Sequence, residues 1–218
     1  MLTHEQARAF YDRFGSKQDW QRFYEDRAVN DMISHGAFDT ASSVFEFGCG
    51  TGRLAERLLM QCLPQNVSYL AIDSSPTMIN LAQNRLSRFQ DRAKVRLSLG
   101  DMALDVGPNQ FDRFVCTYVM DLLAENDIRA VIREAHRVLA PNGLLCLVSL
   151  THGYTTVCRF VEKLWVSVHS FRPVLVGGCR PVLLHPFLEG PKWNIRHENQ
   201  ISNFGLTSQI IVAEKVAT

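Results

Sequence analysis

The segment that most constrains this chain is Val44-Phe-Glu-Phe-Gly-Cys-Gly-Thr-Gly-Arg-Leu54. An apolar run carries one carboxylate, Glu46, and glycines then follow at every second position, Gly48, Gly50 and Gly52. A strand that ends in such a turn and feeds a helix presents bare backbone to a ligand at the helix N-terminus, where any Cβ would block the approach. The spacing selects among ligands. A dinucleotide fingerprint reads G-x-G-x-x-G, with its third glycine at a close strand–helix contact. Arg53 holds that place here and the third glycine arrives one residue early. The loop therefore argues against a nicotinamide or flavin cofactor.

The loop sits inside a repeated strand–helix alternation. Residues 3–38 read as helices, opened by Thr3 and Gln6 in the pattern of a capping box, and they are crowded with aromatic residues (Phe10, Tyr11, Phe14, Trp20, Phe23, Tyr24). Strands are expected over 43–47, 67–72, 94–99, 112–118 and 144–150. The last has no polar alternation, as suits a strand covered on both faces. Helices are expected over 53–62, from Ser75-Pro76 onward as cap and first residue, and along the face traced by Ile128, Val131, Ile132, Ala135, Val138 and Leu139. Alternation of this kind gives an α/β fold, a doubly wound and mostly parallel sheet with helices on both faces. A helical pattern from Val157 to Val168 follows, and then two strands over 193–200 and 208–215 joined through Asn203-Phe204-Gly205. The division expected is an N-terminal helical cap over 1–40 and one domain over 41–218, whose segment 152–192 covers the ligand side.

Composition narrows the partners. Lys and Arg number 23 against 22 Asp and Glu, a formal net charge of +1, so no strongly basic stripe signals nucleic acid. The cluster Arg85, Arg88, Arg92, Lys94 and Arg96 reads as a solvated helix face and loop. The 6 cysteines form no Cys-x-x-Cys pair and read as reduced. No apolar run approaches the length of a membrane span and the first residues lack a signal-peptide pattern, so a cytoplasmic protein is expected. None of the 7 histidines pairs with Cys or a carboxylate at a metal-site spacing, so no metal is expected. Nothing in the sequence sets an oligomeric state.

Ligands of open α/β sheets bind beyond the carboxyl ends of the strands. Collecting the residues at those ends assembles Gly48-Cys49-Gly50-Thr51-Gly52, then Asp73-Ser74 with Met78 on the following helix, Gly100-Asp101-Met102, and Cys116-Thr117-Tyr118. Together with Phe111-Asp112 and Glu134-Ala-His-Arg-Val-Leu-Ala-Pro-Asn-Gly-Leu145, these motifs resemble the class I S-adenosylmethionine-dependent methyltransferases over residues 40–151. Pro141-Asn142-Gly143 departs mildly from a common Pro-Gly-Gly turn, and Asn tolerates left-handed backbone. The stretch Tyr11-Asp-Arg-Phe14 resembles the entry helix of small-molecule members, including the quinone-biosynthesis branch.

The resemblance implies a seven-stranded methyltransferase sheet closed by the antiparallel hairpin, with S-adenosyl-L-methionine as cofactor. It implies that Asp73 accepts both ribose hydroxyls, that Asp101 accepts from the adenine amino group with Gly100 and Met102 beside it, and that Glu46 orders the loop and the cofactor's amino-acid end. Thr117 and Tyr118 would face the methionyl part, and Tyr11 would cover the cofactor. The sulfonium activates its own methyl group, so a base is needed only for an acceptor that carries a proton. His152, just beyond the fifth strand, is the first candidate, with Asp121 and Tyr11 behind it. His136 reads as a surface residue. The implied reaction is methyl transfer to a small, apolar or amphipathic acceptor such as a quinone precursor or lipid. Protein or nucleic-acid methylation and NAD-dependent oxidoreduction are the alternatives, and Cys116-Thr-Tyr-Val119 lacks the Asn/Asp-Pro-Pro-Tyr/Phe signature that cradles a flipped base.

Overall fold

A computed structural model of the chain describes residues 3–98, 102–172 and 177–216. Seven strands form one sheet in the order β3-β2-β1-β4-β5-β7-β6. The strands are β1 (Ser43–Phe47), β2 (Ser68–Asp73), β3 (Ala93–Leu97), β4 (Phe111–Thr117), β5 (Leu139–Thr151), β6 (Trp193–Asn203) and β7 (Leu206–Lys215). The first five run parallel, whereas β7 is antiparallel to β5 and β6 antiparallel to β7. This is the doubly wound sheet that the alternation predicts, closed by the antiparallel hairpin that the resemblance implies. The fifth strand is longer than expected. Pro141-Asn142-Gly143 does not end it but lies within it, where the register with β4 shifts and Asn142 takes φ 62°.

Alternate residues of the central strands feed opposite faces. On one face Phe45, Phe47 and Phe114 pack under the buried stripe Ile128, Val131, Ile132, Ala135 and Val138 of α5 (Glu125–Val138). On the other, Val44, Val115, Cys146 and Val148 meet Ala55, Leu58 and Leu59 of α3 (Arg53–Gln61) and Ala28 and Met32 of α2 (Arg22–His35). Each fully buried side chain of this size contributes about 1.5–3 kcal/mol. Helix α4 (Pro76–Arg85) starts as its sequence dictates: Ser75 Oγ accepts from Met78 N at 3.2 Å, and Pro76 occupies the first turn, where an amide would lack a partner. The capping box of α1 (His4–Phe14) also forms, with Thr3 and Gln6 bonded reciprocally.

The N-terminal cap is anchored by acids rather than by its aromatics alone. Asp12 accepts from Ser75 Oγ at 2.5 Å and Thr77 N at 3.3 Å, which pins α1 to the start of α4. Asp19 accepts from Thr51 Oγ1 and from Arg85, both at 2.6 Å. Arg53, the residue in place of the dinucleotide glycine, reaches back to Asp26 at 2.6 Å and Glu25 at 3.4 Å. Arg88, Lys94 and Arg96 of the basic cluster are exposed as expected, whereas Arg85 and Arg92 are half-buried and, like Arg88, carry structural contacts. Arg85 holds Asp19, Arg88 holds Glu56 at 2.9 Å, and Arg92 donates to the carbonyls of Pro64 and Leu59. His136 is a correction as well: it is partly buried, edge-on to the Trp193 ring, with its Nε2 buried and without a partner. All 6 cysteines are free thiols. Helix α6 (Thr156–Phe171) follows β5 and packs beside the β6–β7 hairpin.

Candidate functional site

The carboxyl ends of β1, β2 and β4 and the cap enclose a cavity of about 270 Å³. Gly48 and Gly50 form its floor, Ile72, Asp73, Ser74 and Met78 one wall, Met102 a second, and Thr117, Tyr118 and Val119 a third. Glu5, Ala7, Arg8 and Tyr11 of α1 close it from above, with Gln18 from the 3-10 turn Gly15–Gln21. A second space of about 70 Å³ adjoins it, sharing Gln18, Gly48, Thr117 and Tyr118. Glu25, Glu46, Arg53 and Arg57 line that smaller space, together with Cys49, Thr51 and Leu54 at the start of α3.

The glycine loop is built by the strand beside it. Gly48 N and Cys49 N both donate to the Ile72 carbonyl at 2.9 Å, and Gly50 N donates to Asp73 Oδ2 at 2.8 Å. Asp73 Oδ1 accepts from Ser75 N at 2.9 Å. One carboxylate therefore ties the loop to the start of α4. It has roughly four acceptor positions, so acceptor capacity remains for a ligand. Burial pushes the Asp73 carboxyl pKa up, and the amides of Ser75, Gly50 and Ser74 pull it back. Gly50 has φ 52°, and a Cβ there would lie 2.6 Å from Gln18 Oε1. That oxygen is buried and has no hydrogen-bond partner. Bare backbone, spare carboxylate acceptor capacity and an orphaned amide oxygen thus converge at one edge of the loop, and they fit a nucleoside with a charged tail. Tyr118 sits in left-handed backbone at φ 55°, a conformation rarely taken by a bulky residue, and it lines both spaces.

The candidates divide. Tyr11, Gly48, Gly50, Asp73, Ser74, Met78, Met102, Thr117 and Tyr118 share the main cavity. Glu46, Cys49 and Thr51 face the smaller space instead. Glu46 accepts from Tyr69 Oη at 2.9 Å, and burial pushes its pKa up to about 7. Gly52 lines neither space: at φ 76° it caps α3, and a Cβ there would meet Ala82 Cα at 3.0 Å. Its smallness serves the contact between α3 and α4. Gly100 and Asp101 lie outside the described residues.

Two candidate bases fall away from the cavity. His152 is 63% exposed on the turn after β5, and its Nδ1 pairs with Glu162 at 2.6 Å. Glu162 also accepts from Gly153 N, so the turn is bound to α6 and the imidazole is drawn outward. Asp121 is fully buried in the 3-10 turn Met120–Leu122 and lines neither space. Its Oδ2 accepts from Leu150 N at 3.4 Å, Oδ1 has no partner, and burial raises its pKa to about 7. Tyr11 remains in place, with its hydroxyl 3.9 Å from Cys179 Sγ, and burial pushes its pKa up. The segment 152–192 contributes less than expected. Among the described residues none of it lines the main cavity; it backs the lining from behind, with Cys179 against Tyr11 and Arg180 Nη2 donating to the Leu123 carbonyl at 2.8 Å.

Glu25 and Gln18 were not foreseen in this region, because they become neighbours of Glu46 and Gly50 only through the docked cap. A cluster formed across the fold was likewise not foreseen. Asp31 accepts from His197 Nε2 at 2.7 Å and lies 3.8 Å from His35 Nδ1, which joins α2 to β6. The two imidazoles stack at 3.5 Å with 5° between their planes, so their nitrogens lie in parallel planes rather than converging on one point. Among the described residues no helix is long and apolar enough to cross a membrane.

A family described as a methyltransferase domain matches residues 45–145. A carboxy-S-adenosyl-L-methionine synthase from Shewanella woodyi is 27% identical over 115 residues, covering 53% of this chain and 47% of that protein. The chain spans about half the length of the curated relatives it matches. Among solved structures, an S-adenosylmethionine-dependent methyltransferase from Methanosarcina mazei superposes with a TM-score of 0.66 at 17% identity, over 85% of this chain and 98% of that one. A geranyl diphosphate methyltransferase in complex with its diphosphate substrate and sinefungin superposes with a TM-score of 0.69 at 12% identity, over 88% and 78%.

Proposed function

We propose that this protein, whose residues 45–145 match a methyltransferase domain, transfers a methyl group from S-adenosyl-L-methionine to a small molecule. The observation that carries this is the single cavity shared by the glycine loop, the Asp73 carboxylate and the cap.

In this reading Asp73 accepts the two ribose hydroxyls with the acceptor positions its backbone bonds leave free. Ile72, Met78 and Met102 hold the base between apolar surfaces. The amino-acid tail extends into the smaller space, where Arg53 and the start of α3 favour its carboxylate and Glu25 and Glu46 its ammonium. Gln18 meets the tail with its unpartnered oxygen. The bound cofactor supplies an electrophilic methyl group. The chain's own work is to orient an acceptor in line with it and to exclude water, which α1 does by lying over the cavity. Orientation of this kind can supply roughly 7–11 kcal/mol. Tyr11 is the polar side chain of α1 best placed to position an acceptor. Neither His152 nor Asp121 serves as base. The apolar walls favour an apolar or amphipathic acceptor, and the cap over 1–40 is the module that selects it.

A second reading follows from the relatives named carboxy-S-adenosyl-L-methionine synthase, in which the cofactor itself is carboxylated. Arg8 favours it, being the only basic side chain lining the main cavity among the described residues. Mass spectrometry of the ligand that co-purifies separates the two. S-adenosylmethionine or its demethylated product supports methyl transfer, and a carboxylated cofactor supports the second reading.

A further inference from the structure

Helix α6 has two apolar sides, and the fold uses only one. Its inner positions are committed to the protein. Cys158 Sγ donates to Ser202 Oγ at 3.4 Å, Trp165 Nε1 donates to the Cys179 carbonyl at 2.9 Å, and His169 Nε2 bonds the Gly178 carbonyl at 3.2 Å. The outer side carries Val157, Phe160, Leu164 and Phe171 at helical spacing, exposed by 68%, 70%, 60% and 86%. Monomeric proteins seldom leave contiguous apolar surface of this kind without a use.

The strip does not end with the helix. A Cβ on Gly205 would meet Val161 Cγ2 at 2.6 Å, so the tip of the β6–β7 hairpin lies directly against α6. That tip carries Phe204, 73% exposed, in left-handed backbone at φ 52°. A turn needing positive φ favours Asn or Gly, and a bulky aromatic there costs backbone strain. Phe204 meets the exposed Phe23 of α2 at 5.4 Å between ring centroids.

Charge then identifies the partner. The exposed positions of α6 hold Arg159 and Lys163, and Arg172 follows at its end. The helix has one carboxylate, Glu162, which is turned inward to His152 and Gly153. A second copy docked on the same patch would oppose these cations to their own counterparts, since a two-fold interface pairs a patch with itself. An anionic surface would not. Exposed Phe and Leu flanked only by Lys and Arg is the chemistry of a helix lying in a lipid interface.

We propose that α6 and the β6–β7 hairpin tip form a docking surface for an anionic lipid bilayer. The surface lies two contacts from the cavity, through Trp165 to the 179 carbonyl and from Cys179 to Tyr11. It follows the β5 end of the sheet, so a docked molecule has the cavity's side of the fold near the lipid. Nothing in the inference depends on which reaction the cavity performs, and the test requires no cofactor.

The experiment is co-sedimentation of the full chain with phosphatidylcholine vesicles, with and without phosphatidylglycerol. The protein is expected to sediment with the anionic vesicles, to remain in solution with phosphatidylcholine alone, and to be released by salt. Each cation near an anionic leaflet strengthens binding about fivefold. Arg159→Glu with Lys163→Glu should therefore weaken it by about 25-fold or more, and Phe160→Ser with Leu164→Ser should abolish it. Both double variants replace exposed side chains, and among the described residues only Arg159 gives up a hydrogen bond, its Nε donation to the Gly153 carbonyl at 3.3 Å, so thermal midpoints within a few degrees of the parent show that the loss is not unfolding. Failure of the parent to bind anionic vesicles overturns the proposal, as does equal binding by the two double variants. Self-association that Phe160→Ser abolishes, without vesicle binding, would assign the surface to a second copy and also overturn it.

Discussion

Replacing Asp73 by alanine separates two roles that one carboxylate performs. Its oxygens accept from Gly50 N at 2.8 Å and Ser75 N at 2.9 Å, and both bonds vanish in the variant. Hydrogen bonds to a charged group contribute about 1.5–3 kcal/mol each, and water can reach amides at the cavity edge, so a net loss of roughly 2–3 kcal/mol of fold stability is expected. For a chain of this size that lowers the melting midpoint by roughly 4–12 °C. The ribose contacts come in addition. Loss of a charged acceptor for two hydroxyls should weaken the binding of S-adenosylhomocysteine, the demethylated product, by about 2–4 kcal/mol, or roughly 30- to 1000-fold. Asp73→Asn keeps one acceptor oxygen and should fall between parent and alanine on both scales. Calorimetry below the variant's melting range reads the affinity, and differential scanning fluorimetry reads the fold. An alanine variant that melts lower but binds within threefold of the parent would refute the ribose role while leaving the loop-tying role intact.

Other consequences are separable from that one. Gly52→Ala forces a Cβ to within 3.0 Å of Ala82 Cα at φ 76°, and should destabilise the domain by roughly 2 kcal/mol while changing ligand affinity only a few-fold below the melting range; an unchanged midpoint would contradict the packing argument. Glu25, Glu46 and Asp121 have pKa values raised by burial to about 7 from ordinary values of 4.5, 4.5 and 3.8. The folded ligand-free state thus retains protons that the unfolded chain releases, so stability from these groups is full below their ordinary values and falls as pH rises toward about 7. Asp121→Asn should flatten that fall by roughly a third, and denaturant midpoints across this range that match the parent would show that the buried acid does not titrate as described. His152→Ala should leave S-adenosylhomocysteine affinity unchanged, because the imidazole is exposed and paired with Glu162; a tenfold loss would return it to the site.

How far these features could be read in advance depends on sequence separation. Strand β1 matched its expected bounds because a five-residue run, apolar but for Ser43 and Glu46 and ending at glycine, has no helical alternative of sufficient length. The caps at Thr3 and Ser75 were legible because their partners lie within three residues. The cap's docking was not, since Asp12, Asp19 and Asp26 find Ser75, Thr51, Arg85 and Arg53 only after the chain has folded back on itself. The aromatic crowding drew attention to the right segment, while the acids between the aromatics fix it. His152 misled for a related reason. A strand end locates a residue along the sheet but not the direction of its side chain, and Glu162, ten residues later, draws it outward. The same limit applies to 152–192. Helix α6 is held by Ser202 and Gly205 of the hairpin, which place it over the sheet's antiparallel end rather than over the glycine loop. The residues expected at the strand ends gather because a parallel sheet presents all its carboxyl ends at one edge. Any polar residue just past β1, β2 or β4 is brought to the same place whatever its neighbours do.

The central claim is that the cavity beyond β1, β2 and β4 is a site for S-adenosylmethionine. Titrating the purified chain calorimetrically with S-adenosylhomocysteine and, separately, with NAD tests it most directly. The account predicts one-to-one binding of S-adenosylhomocysteine in the micromolar range, sensitive to Asp73→Ala, with no heat from NAD. Binding of NAD with no response to S-adenosylhomocysteine would contradict it.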